Sequence, residues 1–203
     1  MIKGIIFDWG GVVIDWQNDT LYRHISKRFN IDLDYIRKRI ENDLLRLVQI
    51  GEIDGKEMWK RFFSSLDMEL PEDYERLWLE KFEELCKINE KVMDMVKRLK
   101  ERGYKTAILS DNEASHAAWG KKIGGFENFD IVVNSFEVKM LKPDEKIYNL
   151  TLDRLGLEAE ECIFIDDKER NLPPAKKLGI YTIHFKNAEQ LREDLSKVLG
   201  HGV

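Results

Sequence analysis

Four polar clusters in this chain each follow a short apolar, β-branched run. Asp8 follows Lys3-Gly4-Ile5-Ile6-Phe7, and Ser110-Asp111-Asn112 follows Thr106–Leu109. Lys142 comes a few residues after Asp130–Asn134, and Asp166-Asp167 follows Cys162–Ile165. Asp8 and Asp167 offer hard carboxylate oxygens of the kind Mg²⁺ takes, with waters and phosphate oxygens completing an octahedron. The Lys142 ammonium and the Ser110 hydroxyl can take the remaining phosphoryl oxygens, and a nearby lysine keeps Asp8 ionised. Taken singly, each group has an ordinary role: an aspartate after a strand caps a turn, and Asp166-Asp167 can cap the next helix at its positive end. Taken together, they form a site for an oxyanion bound through a divalent cation.

These residues lie far apart in sequence, so the elements around them must bring them together. Strand-like runs alternate with helical patterns after residue 87. The helix Glu90–Arg102 puts Val92, Val96 and Leu99 on one face and stops at Gly103. Pro143 opens a helix that runs through Leu155 and is closed by Gly156, and Leu191, Leu195 and Val198 mark a terminal amphipathic helix. Strands alternating with helices predict a parallel sheet with right-handed crossovers, and ligands bind beyond the carboxyl ends of such strands. Asp8, Ser110, Lys142 and Asp167 are all expected on that one rim.

Residues 16–86 follow another pattern. Leu21, Ile25 and Phe29 are spaced by four, as are Ile36, Ile40 and Leu44. Asp54 and Glu57 read as a capping box before Met58 and Phe62, and Pro71 suits the first turn of a helix holding Leu77 and Leu85. The expectation is an inserted bundle of about four helices without a strand, too long for a simple crossover. Residues 1–15 and 87–203 would form the core domain.

The composition excludes other classes. With 203 residues and 43% hydrophobic content, the chain can bury a core without staples. A net charge of −5 without a basic block speaks against nucleic-acid binding, and no apolar run approaches the roughly 20 residues of a membrane span. Residues 1–14 make a poor signal peptide because Asp8 interrupts them. Cys86 and Cys162 read as reduced, buried thiols of a cytoplasmic protein. Interleaved Lys and Glu, within a 35% charged content, point to ion-paired surfaces and a heat-loving source. A small-molecule partner and a monomer or homodimer are expected.

The run Phe7-Asp8-Trp9-Gly10-Gly11-Val12-Val13 resembles the first motif of the haloacid dehalogenase-like hydrolase superfamily. Leu109-Ser110-Asp111-Asn112 resembles its second motif and Met140-Leu141-Lys142-Pro143 its third. Ile163-Phe164-Ile165-Asp166-Asp167, with Asn171, resembles its fourth. The resemblance implies a three-layer α/β Rossmann-like core with a parallel sheet, and a helical cap formed by the insert. It implies hydrolysis of a small phosphate ester, with Asp8 as nucleophile forming an aspartyl-phosphate. Ser110 and the backbone N–H groups near Asp111 and Asn112 would bind the phosphoryl group, and Lys142 would steady it. Asp8, the carbonyl of Gly10 and Asp167 would hold Mg²⁺, with Asp166 and Asn171 in or near the surrounding shell.

Gly10 departs from that pattern. Phosphatases of the family usually carry an aspartate there, which protonates the leaving oxygen and then activates water, help worth about 10²–10⁴ in rate. Four explanations remain open. The substrate has a good leaving group, such as an anomeric sugar phosphate, in keeping with a branch of sugar-1-phosphate phosphatases with glycine at this place. Another residue supplies the proton, with Glu52 in the turn Gly51-Glu52-Ile53-Asp54 first and Asp15 second. The chain is a 2-haloacid dehalogenase, or it is a weakly catalytic binding protein. Trp9 could pack against the leaving group or shield the core, and Trp16, Trp59 and Trp78 read as bundle core. His116 and Trp119 could reach the cap interface.

Overall fold

In a computed structural model, the structure describes every residue except 16, 17, 74–82 and 85, and only the backbone of 18–20. The chain starts with β1 (Gly4–Phe7) and a two-residue β2 (Ile14–Asp15). Helices α1 (Asn18–Phe29), α2 (Leu33–Arg39), α3 (Leu45–Gln49) and α4 (Gly55–Ser64) follow, with a π-turn at Ile40–Leu44 between α2 and α3. After β3 (Lys87–Ile88) come α5 (Glu90–Glu101), β4 (Lys105–Ser110), α6 (Ala114–Lys122), β5 (Ile131–Asn134) and α7 (Ser135–Val138). The chain ends with α8 (Glu145–Leu155), β6 (Cys162–Asp166), α9 (Leu172–Lys177), β7 (Tyr181–His184) and α10 (Ala188–Leu199).

The five long strands form one parallel sheet in the order β5-β4-β1-β6-β7. Side chains alternate across a strand, and β1 shows the consequence. Ile5 and Phe7 face one layer with Val92, Val96 and Leu99 of α5 and Leu191 and Leu195 of α10. Ile6 faces the other, with Ile147, Tyr148, Leu152 and Leu155 of α8 and Ala175 of α9. Helices on both faces of a parallel sheet make the three-layer Rossmann-like α/β core expected from the alternating pattern.

The insert between β2 and β3 has its own apolar centre, where Leu21, Ile25, Ile36, Ile40, Leu44, Val48, Met58 and Phe62 are buried together. Trp59 belongs to it, 2% exposed and edge-on to Phe62. Trp16, Trp78 and the helix expected after Pro71 lie outside the described residues. The chain leaves and re-enters the core through the antiparallel pair Ile14↔Ile88 and Asp15↔Lys87. Strands this short carry no readable alternation.

Two local readings differ from the structure. The helix expected to open at Pro143 opens at Glu145, because the Asp144 carboxylate accepts from the Lys146 N–H at 3.0 Å and sets the cap there. The capping box at Asp54 is half formed. Its carboxylate accepts from Glu57 N at 2.7 Å, while the Glu57 side chain turns to Arg61 at 2.8 Å.

Candidate active site

The rim at the carboxyl ends of the central strands collects the expected groups. Asp8 follows β1, adjacent to β4 and β6, so the ends of three neighbouring strands converge there. Asp8 Oδ1 accepts from the Trp9 N–H at 2.7 Å and pairs with Lys142 Nζ at 2.8 Å. Its Oδ2 has no hydrogen-bond partner among the described residues. One oxygen is fixed and the other is open.

Lys142, 5% exposed, is gripped from three sides. Its Nζ meets Asp8, donates to Asp166 Oδ2 at 2.8 Å and donates to the carbonyl of Leu109 at 3.1 Å. Burial opposes its charge, but Asp8, Asp166 and Asp111 outweigh that and hold its pKa above the ordinary value. Asp8 feels the converse: burial pushes its carboxyl up to about 7, with Asp166 adding to the rise and Lys142 and Lys168 resisting it. Burial likewise raises Asp111, opposed by Lys142.

Asp8, Asp166 and Asp167 have carboxylate oxygens within 4.8 Å of one another. Three carboxylates against the one buried ammonium of Lys142 leave two negative charges uncompensated, which one divalent cation would neutralise. Asp167 Oδ1 is buried without a hydrogen-bond partner among the described residues, an arrangement that is costly unless a cation meets it. Gly11, at φ +87°, makes room for this group: a Cβ there would lie 2.6 Å from Asp167 Oδ2. The acidic, oxygen-only donor set fits Mg²⁺. Asp166, expected in or near the surrounding shell, spends both oxygens on hydrogen bonds. Its Oδ2 takes Lys142 and the Asn171 amide at 2.9 Å, and its Oδ1 takes Lys168 N at 2.7 Å. It is the anchor of Lys142 and Asn171, with no oxygen free of a hydrogen bond.

The second cluster also sorts differently from the sequence reading. Ser110 is 3% exposed and borders the cleft. The Asn112 N–H donates to Ser135 Oγ at 2.9 Å, so it is engaged and does not offer a phosphate-binding donor. The Asp111 carboxylate accepts from Lys142 N at 2.9 Å and ties the two loops together. Trp9 borders the cleft, but its indole lies in the core, 4.7 Å from Phe126 and against Gly120 and Gly125. Of its two readings, core shielding is the one the packing favours.

At Gly10 a Cβ would meet nothing within 4 Å, so the place of the absent aspartate is open space. Neither expected substitute fills it. Glu52 is exposed and does not border the cleft, although the neighbouring Gly51, at φ +68°, packs its turn on the core, with a hypothetical Cβ 2.6 Å from the carbonyl of Phe136. Asp15 is exposed on β2, beside Lys87. Residues not singled out as site members do border the cleft: Ile14, Leu45, Gln49, Glu113 and Lys168, together with His116, expected near the cap. The cleft encloses about 110 Å³. Gln49 bridges insert and core, its Nε2 donating to the carbonyl of Asp111 at 3.2 Å. Glu113 caps α6, accepting from Ser115 N and His116 N, both at 3.0 Å. Burial pushes His116 down to about 4, only partly offset by Glu113, so its ring is neutral near pH 7.

The model of the haloacid dehalogenase-like hydrolases matches residues 2–179, and the chain belongs to that family of hydrolases. Among curated relatives, D-ribitol-5-phosphate phosphatase of Bacteroides thetaiotaomicron is 24% identical over 98% of this chain and 99% of its own length. The phosphorylated carbohydrates phosphatase of Thermotoga maritima is 27% identical over 90% of this chain and 84% of its own. Bifunctional epoxide hydrolase 2 of Mus musculus is 31% identical over 56% of this chain, and the match spans about a fifth of that protein, 21%. A HAD family enzyme from Bacteroides thetaiotaomicron, solved with magnesium and inorganic phosphate, superposes with a TM-score of 0.77 at 24% identity, covering 92% of this chain and 95% of that one. A HAD-like hydrolase from Porphyromonas gingivalis superposes with a TM-score of 0.81 at 23% identity, covering 98% of each. Among the described residues no helix is long and apolar enough to cross a membrane.

Proposed function

We propose that this chain is a Mg²⁺-dependent phosphatase that cleaves a small phosphorylated metabolite, a sugar or polyol phosphate, through an aspartyl-phosphate on Asp8. The observation that carries the reading is the Asp8 carboxylate, with Oδ1 pinned by Trp9 N–H and Lys142 while Oδ2 has no hydrogen-bond partner among the described residues. Oδ2 attacks phosphorus, the P–O bond to the leaving group breaks, and the leaving oxygen takes a proton from solvent. Water then attacks the acyl-phosphate, freeing phosphate and restoring the carboxylate. Ser110 donates to a phosphoryl oxygen, and Lys142 neutralises charge on both nucleophile and phosphoryl group. Mg²⁺, held by Asp8, Asp167 and the Gly10 carbonyl, would supply the charge that draws the phosphate against Asp8. Asp166 and Asn171 position Lys142 and that shell.

The phosphatase names of relatives matched over most of the chain support this reading. The charge excess weighs against the dehalogenase alternative, since a metal-free site would leave two negative charges uncompensated. Residues 16–86 serve as the cap, closing over the rim through Gln49 and the Gly51 turn and excluding water during transfer. Asp8→Asn should abolish phosphate release from an aryl phosphate, and a chelator should abolish it in the unaltered protein until Mg²⁺ is restored. Turnover by pure Asp8→Asn protein would overturn the assignment.

A further inference from the structure

The residues lining the cleft include two amides, Asn112 and Gln49, that the phosphoryl chemistry does not use. The Asn112 side chain is 5% exposed, and its Oδ1 accepts from the Glu113 N–H at 2.9 Å, which fixes the amide's orientation. Its Nδ2 is then left buried with no partner, beside the cleft. Gln49, on α3, shows the complementary pattern. Its Nε2 is spent on the Asp111 carbonyl, and its Oε1 has no hydrogen-bond partner among the described residues. The residues lining the cleft therefore include one with an unused donor and one with an unused acceptor, both uncharged. Leu45 and Ile14 supply apolar surface beside them.

We infer that Asn112 and Gln49 form a hydroxyl-reading subsite that selects a leaving group carrying a hydroxyl close to the ester oxygen. A hydroxyl both donates and accepts, so it can accept from Asn112 Nδ2 and donate to Gln49 Oε1 at once. A carboxylate or second phosphate would satisfy the donor alone and set its charge against the acceptor. A deoxy chain would leave the buried Nδ2 unpaired, which is the way a site rejects an analogue lacking one hydroxyl. The inference rests on the phosphatase reading and adds to it the residues that choose the substrate. Gln49 belongs to the insert, so selection and closure use the same side chain.

The test compares kcat/KM for glycerol 1-phosphate and for propyl phosphate, its analogue without hydroxyls, in the Mg²⁺-loaded protein. The expected preference for the polyol ester is about tenfold or more, since two hydrogen bonds of roughly 1 kcal/mol each are at stake. Asn112→Asp keeps the acceptor for Glu113 N–H and removes the donor, and Gln49→Met removes the acceptor at similar size. Each should shrink the preference by at least about fivefold. Equal rates on the two esters in the unaltered protein, which depend on no variant folding, would overturn the subsite while leaving the phosphatase intact. A preference undiminished in both variants would also overturn it. Release from neither ester, nor from an aryl phosphate, would overturn the phosphatase reading and the subsite together.

Discussion

Installing a carboxyl at position 10 should give this protein an acid–base group at the place where the family usually carries an aspartate. A Cβ at Gly10 meets no atom within 4 Å, and its backbone lies outside the positive-φ region, so an aspartate enters without strain. The cleft bordered by Gly10 is also bordered by Asp8 and Ser110, so the new carboxyl would enter the cleft that holds the proposed nucleophile. Neighbouring Asp8, Asp166 and Asp167 would raise its pKa and favour the protonated form needed for donation. General acid–base catalysis is worth about 10²–10⁴, and the negative surroundings place Gly10→Asp near the lower end, about 10²-fold. The gain should appear on alkyl esters, whose leaving oxygen needs a proton, and stay within about threefold on an aryl ester that leaves as a stable phenolate. Steady-state phosphate release across esters of graded leaving-group pKa provides the assay: the glycine protein should show a steep dependence and Gly10→Asp a shallow one. Equal slopes in the two proteins would refute the reasoning that proton donation is what this site lacks.

Gly11→Ala should weaken Mg²⁺ binding by at least tenfold in calorimetric titration, because its methyl would collide with Asp167 Oδ2 in a backbone conformation already unfavourable for alanine; unaltered affinity would remove Asp167 from the metal set. Asp166→Asn should cut kcat by roughly 10- to 100-fold while Mg²⁺ still binds, since Asp166 holds Lys142 and Asn171 through hydrogen bonds; loss of Mg²⁺ binding would instead make Asp166 a metal ligand, and an undisturbed kcat would end its role in placing Lys142. His116 supplies a pH prediction. Its folded pKa, lowered to about 4 by burial, lies below the unfolded 6.5, so the unfolded chain binds the proton first as the medium is acidified. Stability therefore falls between pH 6.5 and 4, by up to about 3 kcal/mol. The difference between His116→Gln and the unaltered protein in denaturant melts at pH 7 and 4.5 isolates this slope; a pH-independent difference would contradict it.

Asp8, Ser110, Lys142 and Asp167 were legible in the sequence because parallel topology converts "polar residue after an apolar strand" into "same rim", whatever the separation along the chain. Gln49 and Leu45 were not. Their place depends on how α3 docks against the core, which the spacing of the insert's own buried residues does not reveal. Glu52 sits in the turn that packs on the core at Phe136, yet its own side chain is exposed and does not border the cleft, a difference of one residue that the sequence does not show. The engagement of the Asn112 N–H by Ser135 was equally hidden, because it pairs residues 23 positions apart across two strand ends. Local chemistry reads directly from sequence, whereas the docking of one apolar unit on another does not.

The covalent role of Asp8 is the claim on which the rest depends. Borohydride added during turnover of an aryl phosphate with Mg²⁺ would reduce an aspartyl-phosphate to homoserine, which mass spectrometry of the peptide containing residue 8 detects. The account predicts homoserine at position 8 only when substrate and Mg²⁺ are both present. Continued turnover with an unmodified Asp8, or with the label on another residue, would contradict it.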